Sequence, residues 1–600
     1  MRLTLFNKKR FHMEVKRIFD LLPYYENKFE PKDDVLAGKI NGKWVKYDIK
    51  TIRRMVENIS YGLMKLGVKK GDKIATISPN RPEWNLVDHA ILQLGAIHVP
   101  IYPTISESDY KYILRESDTK YIFISGKEIW RKIEHILPEI DSVLGVYTFS
   151  EMEDQKHLDE LVKLGDENKN EEELRAIKKS VSPDDVATMI YTSGTTGDPK
   201  GVMLSHNNIL SNVSAVYHIF PVDQYCRSIS YLPLCHVYER TNIYVFMYLG
   251  VSIYYAENMG TIAANIQEIK PHILTTVPRL LEKVYDKILA KGRKLTGIKR
   301  QLFFWAVRLG EKYEYDIANP VYLARLKVAD KLIFSKWRDA LGGNMKAIIS
   351  GGAAIQPRLA RVFNAAGLPT LEGYGMTESS PVIAVNTFEK GQRKIGTVGP
   401  PVKNLQVKIS EEGEILAKGP SIMVGYYKKP QLTNEVVVNG WLHTGDKGVI
   451  DKDGMLKITG RLKEIFKTSM GKYISPALIE NKFKESPFID QIMVVGENQK
   501  FAAALIVPDF EYLKQWCKLH DVECTGNKEI IKNKIFRDRL RKEVNEYNKL
   551  FGDYEKIKKF ELIDHEWSIE TGEITANLKL KRRYIHNKYR DIINQLFGVK

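Results

Sequence analysis

Cysteine is scarce in this chain of 600 residues: Cys226, Cys235, Cys517 and Cys524 complete the set, and no two form a Cys-x-x-Cys pair. That scarcity excludes a zinc ribbon and a disulfide scaffold, and predicts four packed free thiols in a reducing compartment. Long apolar runs are missing too. The longest candidate, residues 243–255, falls short of the ~18–20 residues of a membrane-spanning helix and reads as a pair of core strands. Lys8, Lys9 and Arg10 interrupt the first ten residues before an apolar signal core forms, so export is not expected. Acidic residues are in the minority, 74 against 91 basic ones, for a net charge of +17. Such an excess suits nucleic acid, an anionic membrane surface or polyphosphate substrates without choosing among them. With 44% hydrophobic residues the chain is globular, and its length calls for at least two domains.

What is present centres on residues 191–206, Tyr-Thr-Ser-Gly-Thr-Thr-Gly-Asp-Pro-Lys-Gly-Val-Met-Leu-Ser-His. Seven of the first eleven are Gly, Ser or Thr, so the backbone can turn sharply and offer N–H groups and hydroxyls to an anion, with Lys200 adding a point charge. Residues 186–191 read as a buried strand and Ser205 as a helix cap, which predicts a strand, a glycine-rich turn and a helix around a phosphate. The spacing is not that of a Walker loop, because Gly194 and Gly197 lead into Asp-Pro-Lys-Gly rather than Gly-Lys-Ser/Thr.

Along the chain, residues 11–25 form an amphipathic helix that lies on a membrane or packs on its own domain. Strands at 71–78, 95–104 and 120–125 alternate with a helix at 83–94, the rhythm of a parallel α/β sheet. His236 follows a strand end, where open α/β sheets bind ligands. Residues 291–346 are helical, basic and aromatic. Interleaved cations and rings suit single-stranded nucleic acid, but in helices they more often mean an apolar face with a solvated basic edge, and contact with acidic lipid is a further reading. Residues 347–354 run from a strand into a small-residue turn that includes Gly352. The segment 367–379 adds Gly373, Tyr374, Gly375, Thr377 and Glu378, a stacking ring and oxygen ligands beside glycines that let a flat base approach. Short alternating strands mark a β subdomain at about 396–460, with Asp446 in a glycine-rich loop. Residues 461–600 read as a compact α/β unit whose charge run at 575–583 is ordinarily a solvated helix.

Taken together and in order, these motifs resemble the adenylate-forming superfamily of acyl-CoA synthetases, luciferases and peptide-synthetase adenylation domains. Residues 88–104, 232–240 and the 291–346 insertion bring the resemblance closest to the long-chain fatty-acid CoA ligases. It implies an α/β fold with a large N-terminal domain of parallel sheets, residues 1–460, and a small mobile α+β domain, residues 461–600. The implied chemistry is attack of a fatty-acid carboxylate on the α-phosphorus of ATP, then displacement of AMP by coenzyme A. The same resemblance assigns the phosphates to Thr192, Ser193, Gly194, Thr195, Thr196, Gly197 and Lys200, and Mg²⁺ to Thr192 and Glu378. It gives the adenine pocket to Gly352, Gly373, Tyr374 and Gly375, the α-phosphate to Thr377, and the ribose to Asp446 and Arg461. Lys579 falls on the catalytic lysine, Lys463 on the hinge, Gly471 beside the coenzyme A path and His236 near the carboxylate entrance. Where the family often reads Thr-Pro-Thr before its Leu-Lys, this chain has Thr575-Ala-Asn577. The implied setting is cytoplasmic, with peripheral contact to membrane lipid and no nucleic acid. Two alternatives stand beside it. One is an acyl-AMP ligase or a CoA ligase for a medium-chain or aryl acid; the other is a basic membrane- or nucleic-acid-binding protein on an inactive adenylation fold.

Overall fold

The computed structural model describes residues 14–192, 199–520, 522, 526–568, 570–575 and 579–598. Two eight-stranded sheets dominate it. One runs in the order Val382–Val385, Thr370–Gly375, Ala347–Ser350, Ile273–Thr276, Arg227–Ser230, Ser252–Tyr255, Leu36–Ile40, Lys43–Tyr47. The other runs Gly425–Tyr426, Lys200–Ser205, Val186–Thr192, Ile97–Ile101, Lys73–Ile77, Thr119–Ile124, Gly145–Thr148, Lys156–His157. Both are parallel inside, the arrangement expected where helices cover the faces; the first carries antiparallel strands at both ends and the second at the Gly425–Tyr426 end only. The interior strands are buried nearly throughout, which is why they read as apolar runs rather than alternating ones. A five-stranded antiparallel sheet follows between Gln406 and Arg461, then a three-stranded sheet of Ile489–Val495, Ala502–Pro508 and Ile557–Leu562.

Several local expectations need correcting. Residues 243–255 are not two strands: Val237–Leu249 is a helix, ended by Gly250 in the left-handed region, before the strand Ser252–Tyr255. That helix is buried on nearly every side, so its apolar sequence shows no helical stripe. The phosphate-loop segment is not a strand-to-helix turn either. Lys200–Ser205 is itself a strand, with Thr192 opposite Lys200, so the loop closes a hairpin and the Ser205-capped helix begins only at His206. Asp446 lies within the strand Trp441–Ile450 rather than in a loop; a bulge at Lys447/Gly448 accommodates the glycine. The charge run near the C-terminus is not one helix: an Ile574–Leu580 bridge precedes the helix Arg582–Lys588, and residues 576–578 lie outside the described residues. Cys226 and Cys235 are free and buried, but Cys517, in the last turn of the helix Phe510–Leu519, is disulfide-bonded rather than free; Cys524 lies outside the described residues.

Near the N-terminus, a short turn at Ile18–Asp20 and the helix Leu21–Lys28 bury Ile18, Phe19, Leu21 and Leu22 in their own domain. Phe303, Phe334 and Trp337 of the basic insertion likewise point inward, with Phe334 and Trp337 ring centroids 5.2 Å apart. Those rings are core, not a stacking platform.

A buried polar network ties the layers together beneath the site. Arg240, on the helix Val237–Leu249, pairs with Asp88 of the helix Pro82–Gln93. It also donates through Nη1 to the Thr188 hydroxyl at 2.6 Å and through Nε to Tyr244 at 2.7 Å. Asp88 meets His98 Nδ1 at 2.7 Å, and His98 Nε2 meets Thr76 at 2.9 Å. Burial pushes the Asp88 carboxyl up, but Arg240 and His98 overcome it and hold the group well below the usual carboxylate range. The network fixes the strand four residues before Thr192 and the helix that begins beside His236.

Candidate active site

A cleft of about 2550 Å³ opens between the parallel sheets and the C-terminal sheet, and the predicted residues gather on its walls. At one end stand Thr192 and Lys200, the two feet of the hairpin; Ser193, Gly194, Thr195, Thr196 and Gly197 lie outside the described residues. Burial and the charge of Lys463 both depress the Lys200 pKa. Two ammonium groups face a shared space there, and an anion would relieve their repulsion. Lys463 thus lines the cleft itself.

Glu378 projects from a one-turn helix, Thr377–Ser379, whose start is tied by Met376 N–H donating to Ser379 Oγ at 3.1 Å. The Tyr426 hydroxyl donates to Glu378 Oε1 at 2.8 Å and fixes its direction, while Thr377 is buried in the cleft wall. A carboxylate and the Thr192 hydroxyl on the walls of one cleft are hard oxygen donors of the type Mg²⁺ takes, completed by phosphates and water.

The strand Thr370–Gly375 forms the next wall. A Cβ on Gly375 would sit 1.9 Å from the Pro381 carbonyl oxygen, so only glycine lets the two strands approach there. Gly373 faces Val385, and Gly352 takes φ +80 in the turn after Ala347–Ser350. The Tyr374 hydroxyl donates to Asp446 Oδ2 at 2.7 Å, and Arg461 Nε stands 3.2 Å from Asp446 Oδ1, paired with it across two strands. Tyr374 is therefore a ring held by its rim. Burial raises the Asp446 pKa and Arg461 opposes it.

Lys579 enters from the small domain, where its N–H donates to Thr575 Oγ1 at 3.1 Å and its carbonyl accepts from Thr575 N–H at 2.8 Å. Its side chain lines the cleft and is exposed. Burial, then the charge of Arg461, lower its pKa, while Asp446, Glu464 and Glu378 oppose the shift. On the far side stands His236. Its Nδ1 accepts from Tyr238 N–H at 3.1 Å, and burial with the Lys579 charge brings its pKa to about 4, so it is neutral at pH 7 with a proton on Nε2. One ammonium thus lies in the fields of the Asp446–Arg461 pair, Glu378 and His236.

Gly471 is not in the cleft. It sits at the tip of the hairpin joining Phe466–Lys467 to Tyr473–Ile474, exposed, with φ +81.

Other residues of the site escaped sequence reasoning. Arg582 forks onto Glu480, Nη1 to Oε1 at 2.8 Å and Nη2 to Oε2 at 2.5 Å, and also reaches Glu464, anchoring the segment that carries Lys579 beside Lys463. Arg279 of the large domain grips both oxygens of Asp490 in the small one at 2.7 and 2.8 Å. Glu372, in the floor of the cleft, accepts only Ile355 N–H among the described contacts, and burial pushes its pKa up to about 8. Its signal was visible: a carboxylate inside a strand otherwise of apolar and small residues. Because its folded pKa lies above the usual 4.5, the folded state holds the proton that the unfolded chain has lost between those values. The stability that proton brings is complete below about 4.5 and is lost as pH rises through about 8, at up to ~1.4 kcal/mol per pH unit. Glu372→Gln is expected to flatten this decline in urea melts across that window; an unchanged pH profile would mean the carboxyl is not kept neutral.

The chain belongs to the AMP-binding enzyme family: that family matches residues 28–427, and the AMP-binding enzyme C-terminal domain matches residues 463–599. Among curated relatives, the long-chain-fatty-acid–CoA ligase FadD15 of Mycobacterium bovis is 32% identical over 586 residues, covering 96% of each chain. Fatty acyl-CoA synthetase A of Dictyostelium discoideum is 30% identical over 601 residues, 93% of this chain and 86% of the relative. The adenylation domain of a carboxylate reductase from Mycobacterium chelonae shares the fold with TM-score 0.76 at 20% identity, over 97% of this chain and 91% of that one. A Mycobacterium tuberculosis fatty acyl CoA synthetase shares it at 0.62 and 20%, over 96% and 99%.

Proposed function

We propose that this protein is an ATP-dependent long-chain fatty acid–CoA ligase that forms acyl-AMP and pyrophosphate, then fatty acyl-CoA and AMP. The observation that carries this reading is one cleft lined by Lys579, the Asp446–Arg461 pair and His236, with the lysine in the electrostatic field of each. In the first step a carboxylate oxygen bonds to the α-phosphorus of ATP as the bond to the β-phosphate bridge breaks. Two anions must meet in line, so positioning and charge neutralisation are most of what the protein supplies. Asp446 and Arg461 hold the ribose, Tyr374 stacks on adenine beside Gly352, Gly373 and Gly375, and Thr377 meets the α-phosphate. The hairpin loop, Lys200 and Lys463 take the pyrophosphate end. Glu378 and Thr192 would hold Mg²⁺, which neutralises the phosphate oxygens. Lys579 bridges carboxylate and α-phosphate. In the second step the coenzyme A sulfur bonds to the acyl carbon as AMP leaves with the bond electrons, and the thiol proton passes to solvent. Rotation of the small domain about Lys463 takes Lys579 away and brings Gly471, a residue without a side chain, to the thiol path.

A relative named as a long-chain-fatty-acid–CoA ligase at 32% identity favours this substrate class over a medium-chain or aryl acid. The cleft supplies matching surface where Val216, Ile219, Phe220 and Val382 line it. A tail enclosed there gains up to ~0.8 kcal/mol per methylene, so four added carbons raise kcat/KM by roughly two orders of magnitude. A rise from octanoate towards hexadecanoate, measured below the micelle concentration, is the expected result; a maximum at acetate or at coumarate would refute the assignment. Among the described residues no helix is long and apolar enough to cross a membrane.

A further inference from the structure

The helix Pro320–Ala329 is apolar on faces that cannot all be buried. Its inner side packs into the core through Tyr322, Leu326 and Ala329, and the Tyr322 hydroxyl donates to the Leu309 carbonyl at 3.0 Å. Its first turn is well capped, with Asn319 Oδ1 accepting from Val321 and Tyr322 N–H at 3.0 and 3.1 Å. Yet Val321 and Val328 on this helix, and Leu332 in the wider turn Asp330–Phe334 that continues it, remain 61%, 51% and 41% exposed, and Leu323 is 40% exposed. A helix apolar all round ordinarily lies inside a protein, so the outer stripe calls for something to cover it. Around that stripe stand Arg325, Lys327 and Lys331, all exposed and, among the described residues, without an ion-pair partner. The neighbourhood is strongly basic: residues 291–346 hold 13 Lys and Arg against five Asp and Glu, which is +8 of the chain's +17.

We infer that this face is a docking surface for an anionic lipid bilayer, with Val321, Val328 and Leu332 entering the headgroup region and Arg325, Lys327 and Lys331 meeting the acidic headgroups. A basic helix with an apolar stripe is the form that lies in the interfacial plane. The charge complementarity argues against the other occupants. A second copy of the chain would bring like charge against like. Single-stranded nucleic acid needs aromatic faces for its bases, and Phe303, Phe334 and Trp337 are buried behind the helix. The inference deepens the ligase reading, since a long-chain acid dissolves in the bilayer, but binding itself does not depend on the chemistry.

The test is co-sedimentation of the full-length protein with phosphatidylcholine vesicles, with and without phosphatidylglycerol. Binding is expected only with the anionic lipid and to weaken with added salt. Arg325→Gln/Lys327→Gln/Lys331→Gln should lower the partition coefficient roughly 100-fold, about fivefold per charge. Val321→Ser/Val328→Ser/Leu332→Ser should lower it at unchanged net charge. Both variants should keep wild-type activity on octanoate, which is freely soluble; if they do while vesicle binding is lost, the surface is assigned whatever the preferred acid. Vesicle binding by wild type that neither variant weakens would overturn the inference, as would no binding at low salt. Loss in these variants of binding to a poly(U) oligomer but not to vesicles would hand the face to nucleic acid. Failure of wild type on every fatty acid, with vesicle binding intact, would count against the ligase reading alone.

Discussion

Lys579→Ala should lower acyl-adenylate formation by roughly 10²–10³-fold, the range for removing one preorganised charge-stabilising donor, and leave thioester formation from supplied acyl-AMP near wild type. The lysine's charge is needed only where carboxylate and α-phosphate approach each other. Its pKa is lowered by burial and by Arg461, so without substrate its charge is held at a cost that the arriving anions remove. Single-turnover assays of the two halves decide the matter. Gly471→Leu should give the reverse pattern, with adenylation retained and thioester formation lost. A Cβ at that position in this conformation meets only Lys467 Cε, at 3.8 Å, although φ +81 strains any L side chain. A defect confined to the second step therefore reports on the other orientation of the small domain. Equal loss of both steps in folded Lys579→Ala would remove the lysine from its role.

The second large effect concerns stability. Arg240 and Asp88 are among the most deeply buried charged groups of the chain, at 1% and 0% exposure. Removing one partner leaves the other charged, buried and unpaired, which costs about 3–5 kcal/mol. Arg240→Ala should accordingly shift the urea midpoint of the large domain far to lower denaturant. Arg240→Met combined with Asp88→Leu should recover much of the loss, since neither charge then remains; a double variant as unstable as the single one would show that packing, not charge pairing, is at stake. With Thr188 and His236 on the elements this network joins, a milder change such as Arg240→Lys should raise KM for ATP before it unfolds the protein.

Much of this architecture was legible because strands and helices of the large domain alternate, and buried parallel strands read as short apolar runs between turn residues. The misreadings share a cause. Val237–Leu249 is covered on all sides, so it carries no helical stripe to distinguish it from strands, and the six-residue strand Lys200–Ser205 is hidden because it contains Gly201 and ends on the helix cap Ser205. Asp446 looked like a turn residue because glycines flank it, whereas the strand bulges to accommodate them. Site residues with unusual local composition could be picked out along the chain, Tyr374, Glu378 and Asp446 among them. Arg279 could not: its partner Asp490 lies 211 residues away, and nothing local to either marks the pair that holds the small domain over the cleft. Arg582 lay in plain view inside a basic run, yet its fork onto Glu480 appears only when the segment carrying Lys579 is folded.

The central claim is that the cleft joins a fatty-acid carboxylate to the α-phosphorus of ATP. Exchange of labelled pyrophosphate into ATP, with Mg²⁺ present and coenzyme A omitted, tests it most directly, because only a reversible adenylation returns label to ATP. Exchange that requires hexadecanoate and disappears in Lys579→Ala is the predicted result; no exchange with any fatty acid, or exchange at the same rate without one, would contradict it.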